Sequence, residues 1–134
     1  MATIRKELDI EAPAEHVWKA LADFYAVHTR VAPGFLTALE AEDGARVVTF
    51  ANGSVAREIL VDCDHEHRRL VYTIPSARLT AHSASFQVFP RGDGACHVTW
   101  LTDMLPNDMA PYIDGQMSEG VKVMGETLAA KPGG

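Results

Sequence analysis

Positive charge, long apolar runs and cysteine are all scarce in this sequence, and each scarcity narrows what the chain can be. Against 18 aspartates and glutamates stand 12 lysines and arginines, a formal net charge of −6. A protein that grips nucleic acid needs a basic face to displace counterions from phosphates, so no nucleic-acid partner is expected. No stretch approaches the roughly 18–20 apolar residues of a membrane helix, which argues against membrane insertion. MATIRKELDI at 1–10 lacks the apolar run of a signal peptide. The 2 cysteines, Cys63 and Cys96, are too few for a disulfide scaffold. Reduced thiols in the cytoplasm are the simpler expectation, although spacing alone leaves a bond between them open. Phosphate loop, dinucleotide fingerprint and Gly-x-Ser-x-Gly elbow are missing too, so no cofactor is called for. Asp62-Cys63-Asp64-His65-Glu66-His67 offers ligand-type side chains, but a solvated turn accounts for them and no metal is expected.

What is present is enough apolar matter for a core: 47% hydrophobic residues in a chain of 134. That length suits a single domain, placed at 1–130, with Lys131-Pro132-Gly133-Gly134 as a flexible tail. The opening segment Thr3–Ile10 alternates apolar and charged residues as a half-buried strand does. Pro13 suits a first helical turn, and Val17, Trp18, Leu21 and Phe24 recur at helical spacing, giving a helix over 13–22. Asp23 is placed to cap a second short helix running toward His28. Strands and turns then alternate: Phe35–Ala41, Arg46–Ala51, Ser54–Cys63, Arg68–Ile74, Leu79–Phe89 and Ala95–Met104. Short punctuation separates them, with Asn52-Gly53 suited to a tight hairpin. This is the pattern of an antiparallel meander. Asn107 or Asp108 is placed to cap a last helix over about 108–130, whose face carries Ile113, Met117, Gly120, Val121, Met124 and Leu128.

Alternate residues of a strand share a face, so an inward set can be read off. Arg46, Val48 and Phe50 are in phase, as are Ala56, Glu58 and Leu60. So are Leu70, Tyr72 and Ile74, then Ala84, Phe86 and Val88, and finally Val98, Trp100, Thr102 and Met104. Arg46, Glu58 and Tyr72 are the polar members that matter most. A lone buried charge is expensive, so Arg46 and Glu58 should pair. With the hairpin centred on Asn52-Gly53, Arg46 falls opposite Ile59 and diagonal to Glu58. The pair either satisfies itself and fixes the sheet or offers a polar patch to a ligand. Tyr72 either donates into a cavity or is an ordinary core residue, and Trp100 reads as core or cavity wall. Glycine inside a helix costs ~1 kcal/mol against alanine. Gly120 beside Met117 and Met124 therefore marks either space for a ligand with adaptable methionine walls or close helix–sheet packing.

The residues IEAPAEHVWKALADF at 10–24 resemble the opening of the polyketide cyclase/dehydrase-like branch of the START and birch-pollen-allergen superfamily, SRPBCC. Gly44-Ala45-Arg46, REILVD at 57–62, LVYTI at 70–74, HVTW at 97–100 and the closing helix continue the likeness over nearly the whole chain. The resemblance implies an α+β helix-grip fold: a curved antiparallel sheet of about seven strands around a long C-terminal helix, with two short helices after the first strand. It also implies an apolar cavity, with Tyr25, His28 and Pro33-Gly34 at one rim. His28 there is either a general acid or base or a solvent-facing side chain. The ligand-binding set expected is Tyr25, Arg46, Val48, Phe50, Glu58, Tyr72, Phe86, Trp100, Met117, Gly120, Val121 and Met124. Three functions remain open: a binder of a small apolar or aromatic molecule, a cyclase/dehydrase-like enzyme with Glu58, Tyr72 and His28 as candidate catalytic groups, or a protein-interaction module. The partner expected is a small apolar or aromatic ligand, with the protein a monomer or homodimer.

Overall fold

The computed structural model describes residues 1–129; the expected tail at 131–134 lies outside the described residues. Strand β1 (Ala2–Ile10) leads into helix α1 (Ala14–Ala22), a 3-10 turn (Phe24–Ala26) and helix α2 (Val27–Arg30). Six strands follow: β2 (Leu36–Glu42), β3 (Ala45–Phe50), β4 (Val55–Asp64), β5 (Arg69–Thr73), β6 (Ala81–Pro90) and β7 (Cys96–Leu105). A second 3-10 turn (Asn107–Met109) opens helix α3 (Ala110–Leu128). All seven strands form one antiparallel sheet in the order β1-β7-β6-β5-β4-β3-β2, so only β1 leaves its sequence neighbours to pair with the last strand. The register shifts at Leu36/Ala38 in β2 and at Leu60/Asp62 in β4, and an extra residue of this kind bends a strand. This is the helix-grip arrangement.

One face of the sheet is buried, and the alternation in the sequence identifies it. Along β7 every second residue from Cys96 to Met104 is buried, including Val98, Trp100 and Thr102. Met117, Met124 and Leu128 of α3 are buried with them, as are Val17, Trp18 and Leu21 of α1. Enclosing a side chain such as Leu70 or Leu128 contributes ~1.5–3 kcal/mol. Both cysteines are free thiols, Cys63 half-buried and Cys96 buried.

Several local expectations are corrected. Pro13 is the N-cap of α1, not its first residue, and its carbonyl accepts the Val17 N–H at 3.2 Å. Asp23 caps nothing with its side chain; its carboxylate takes Arg30 Nη1 at 2.9 Å instead. Neither Asn107 nor Asp108 caps α3, because the 3-10 turn intervenes and Met109 is the N-cap. The first turn of α3 contains a proline, which has no N–H to satisfy.

The most consequential correction concerns the β3–β4 hairpin. Arg46 lies directly opposite Glu58, not Ile59, with Val48 opposite Ala56 and Thr49 opposite Val55. The loop is the three residues Ala51, Asn52 and Gly53, closed by Phe50 N–H donating to the Ser54 carbonyl at 2.8 Å. Gly53 has φ +87° and takes the left-handed position that such loops require. Asn52 Oδ1 accepts both the Ser54 N–H at 3.0 Å and its hydroxyl at 2.6 Å. A two-residue loop would have put Arg46 and Glu58 on opposite faces.

The polar cluster at 64–67 builds the β4–β5 turn. Asp64 accepts the His67 N–H at 3.1 Å and meets its ring at 2.7 Å, while His65 Nδ1 accepts the Trp18 indole N–H at 3.1 Å.

Two glycines of α3 are predicted to respond oppositely to alanine. A Cβ on Gly115 meets nothing within 4 Å, whereas one on Gly120 comes within 3.1 Å of Phe35 and of Trp100. Gly115→Ala is expected to stabilise by ~0.5–1 kcal/mol through helix propensity. Gly120→Ala is expected to lose that gain to crowding, both changes being read from urea unfolding.

Candidate functional site

Between the inner face of the sheet and α3 lies a cavity of about 450 Å³, within the roughly 300–1,000 Å³ of small-molecule sites. Its floor is a run of rings across three strands. Phe86 on β6 is directly opposite Trp100 on β7, with ring centroids 4.8 Å apart and planes at 23°. Tyr72 on β5 stacks on Phe86 at 6.2 Å and 25°. The residue opposite Tyr72 is Ala84, whose single methyl lets the phenol lie across β6. Trp100 Nε1 then donates to the Tyr72 hydroxyl at 3.3 Å.

Beside this floor sits the ion pair. Arg46 is 2% exposed and Glu58 6%. Arg46 Nε donates to Glu58 Oε1 at 2.8 Å and Nη1 to the Phe24 carbonyl at 2.8 Å. The guanidinium also lies 4.2 Å from the Phe24 ring centroid, a cation–π contact worth about 0.5–2 kcal/mol. Each ion loses several kcal/mol of hydration on burial, so these partners are what make the arrangement tolerable. Burial, reinforced by the Glu58 charge, pushes the Tyr72 phenol far above its ordinary pKa of 10.0, with Arg46 and the Trp100 hydrogen bond opposing. Tyr72 is therefore a protonated phenol throughout the physiological range.

The mouth is framed by the β3–β4 hairpin, the 75–79 loop and the start of α3. Val55 and Tyr112 are exposed there and Arg78 lies at the edge. Gln116 donates to the Tyr112 hydroxyl at 3.4 Å, which in turn reaches Ser54 Oγ at 3.5 Å, so the helix start is tied to the hairpin.

Of the residues singled out from sequence, Arg46, Phe50, Glu58, Tyr72 and Phe86 line the cavity from the sheet. Trp100 joins them, with Met117, Gly120 and Met124 from the helix. Gly120 serves both readings: it borders the space, and it is hydrogen-sided because Trp100 and Phe35 press against it. Four expected residues are absent from the lining, as is the Pro33-Gly34 pair expected at the rim. Val48 is fully enclosed in the core. Val121 is turned about 100° from Gly120 around the helix and is only half-buried. Tyr25 is 43% exposed and spends its hydroxyl on the Glu42 carbonyl at 2.8 Å. His28 is displaced because α2 turns Val27 and Val31, four residues apart, toward the cavity.

Sequence reasoning missed His82, which lines the cavity two positions before Ala84. Its Nδ1 accepts the Ile74 N–H at 3.0 Å. The alternation His82, Ala84, Phe86, Val88 carries the signal, since it places the imidazole on the buried face. Thr102, in phase with Trp100, lines the cavity by the same logic.

The profile of the family described as polyketide cyclase / dehydrase and lipid transport matches residues 1–128. Among solved structures, a protein of Thermobifida fusca is 31% identical, with a TM-score of 0.74 over 96% of this chain and 93% of that one. A Bacillus thuringiensis protein is 18% identical with a TM-score of 0.83 over 95% and 98%. Norcoclaurine synthase of Thalictrum flavum, solved with dopamine and hydroxybenzaldehyde, is 18% identical with a TM-score of 0.72 over 93% and 84%. Curated protein sequences give no match.

The ion pair predicts a double-mutant cycle. Arg46→Met alone leaves a buried carboxylate uncompensated and is expected to cost about 3–5 kcal/mol in urea unfolding, much of it recovered by Arg46→Met with Glu58→Leu. His82 predicts a pH effect. Burial lowers its pKa from the ordinary 6.5, and the Ile74 N–H occupies the lone pair that a proton would take. Between the lowered value and 6.5 the unfolded chain binds more protons than the folded one, so the His82 contribution to stability falls as pH drops through that window. The imidazole C2–H resonance should titrate below 6.5 in the folded protein.

Proposed function

The chain belongs to the polyketide cyclase / dehydrase and lipid transport family, and from that premise we propose that it holds a small apolar or aromatic molecule, lipid-like or polyketide-like, between sheet and C-terminal helix. The observation that carries the reading is the ring floor of Tyr72, Phe86 and Trp100 beneath an otherwise largely apolar cavity of about 450 Å³. Stacked rings favour a flat guest, because offset π contacts add to simple area burial. The aromatic molecules held by the Thalictrum enzyme on the same fold lend this support. Arg46 and Glu58 are engaged with each other, so their main part is to fix the wall. Met117 and Met124 give the opposite wall adaptable side chains. No helix among the described residues is long and apolar enough to cross a membrane. Free thiols fit a cytoplasmic place for the protein.

A cyclase/dehydrase-like activity on an aromatic or polyketide substrate is the second reading, favoured by one feature. The Tyr72 oxygen accepts from Trp100, which leaves the phenolic hydrogen available to a substrate carbonyl. Such an enzyme would work by confining a reactive chain in one conformation, with Tyr72 polarising the carbonyl.

The test is occupancy of the cavity. N-Phenyl-1-naphthylamine should bind with enhanced fluorescence, and Ala56→Phe, which adds a ring to the lining, should weaken it by at least about tenfold while far-UV circular dichroism is unchanged. Unaltered affinity in that variant would place the probe elsewhere. Solvent extraction of the purified protein followed by mass spectrometry identifies any resident molecule.

A further inference from the structure

Two neutral donors share one wall of the cavity. His82 is half-buried at the start of β6, and its Nδ1 accepts the Ile74 N–H at 3.0 Å. A neutral imidazole that accepts at one nitrogen carries its hydrogen on the other, so the tautomer is fixed and Nε2–H is a donor. The Thr73 hydroxyl donates to the His82 carbonyl at 2.6 Å, which pins the backbone on the same strand pair. The Tyr72 and His82 rings are 6.2 Å apart, tilted at 42°. Tyr72 accepts the indole N–H of Trp100, so its own hydrogen is not used in that bond. Ala84, directly opposite Tyr72 and two residues along β6 from His82, is small enough for the phenol to lie over it, and both Tyr72 and His82 line the cavity.

We infer that Tyr72 and His82 form an oxygen subsite, and that the guest is a flat molecule bearing a neutral carbonyl held by both donors. The inference rests on the binding role proposed above and names the chemistry of its ligand. A buried donor without an acceptor costs roughly 1–3 kcal/mol, so a pure hydrocarbon guest leaves two such groups unsatisfied. At this subsite a carboxylate is disfavoured, because the neighbouring cation Arg46 is already neutralised by Glu58 at 2.8 Å and the other lining arginines, Arg57 and Arg78, are exposed residues. An ammonium is disfavoured for the converse reason, since Glu58 is already committed. Aryl ketones, aldehydes and quinone- or lactone-type carbonyls are what remain.

The test compares 2-acetylnaphthalene with 2-isopropenylnaphthalene, in which a CH₂ group replaces the carbonyl oxygen at almost the same shape. Dissociation constants come from displacement of N-phenyl-1-naphthylamine. Tyr72→Phe and His82→Phe are each expected to weaken the ketone about fivefold, the equivalent of one neutral hydrogen bond, and to change the alkene by less than about twofold. In the unaltered protein, the infrared carbonyl stretch of bound 2-acetylnaphthalene should lie below its value in hexane, with part of that shift lost in Tyr72→Phe. The infrared result stands even where His82→Phe does not fold. Equal effects on both ligands, or a carbonyl stretch at its hexane position, overturn the oxygen subsite while leaving the cavity occupied. Failure of both ligands to displace the probe overturns the binding role and the subsite together.

Discussion

Placing a guanidinium beside a carboxylate with almost no water is the constraint around which the cavity wall is arranged. The Arg46–Glu58 pair stands between β3 and β4, and its remaining contacts reach the segment after α1 through the Phe24 carbonyl and ring. One side chain thus ties the sheet to the helical segment that closes one side of the cavity. Replacing either partner alone would leave a charge with nothing to offset its lost hydration. Because the pair satisfies itself, it sets geometry without advertising charge, and the polarity the sheet offers a guest falls to neutral groups such as Tyr72 on β5, His82 on β6 and Thr102 on β7.

That division explains the floor. Tyr72 spans β6 because Ala84 is small, and it meets Trp100, which in turn approaches α3 because Gly120 has no side chain. Small residues at two positions let large rings occupy the space between layers. The phenol is held by a hydrogen bond that uses only its oxygen, and the imidazole of His82 by one that uses only Nδ1. Each polar group is anchored on one side and available on the other. This is how a mostly apolar site orients a guest without many polar atoms.

Much of this was legible in the sequence because one face of every strand is buried, and burial writes itself as alternation. The inward phase of Arg46, Glu58, Tyr72, Phe86 and Trp100 followed from period two alone, and their pairing from the cost of an isolated charge. The exact partner of Arg46 did not follow, because Asn-Gly fits both a two-residue and a three-residue loop, and the backbone at Gly53 decides between them. His82 was passed over because the inward set on β6 was begun at Ala84, although the same alternation reaches back to it. Tyr25 and His28 were expected at the rim by likeness, but α2 is only four residues long. A single turn can present few side chains inward, and it presents Val27 with Val31 just beyond. Cap residues misled for a related reason: Asp23 precedes a 3-10 turn and Asn107 opens one, and capping geometry differs there.

The three-residue loop between β3 and β4 carries a consequence for how this sequence can drift. Its letters are nearly free, since Ala51 and Asn52 are exposed and only the left-handed position asks for glycine. Its register is not free. A one-residue insertion is harmless where the loop widens to absorb it, but a one-residue slip of either strand turns Glu58 away from Arg46. Among descendants of this chain, the hairpin should therefore vary in its loop and hold its pairing, a constraint imposed on an exposed turn by a charge pair buried several residues away.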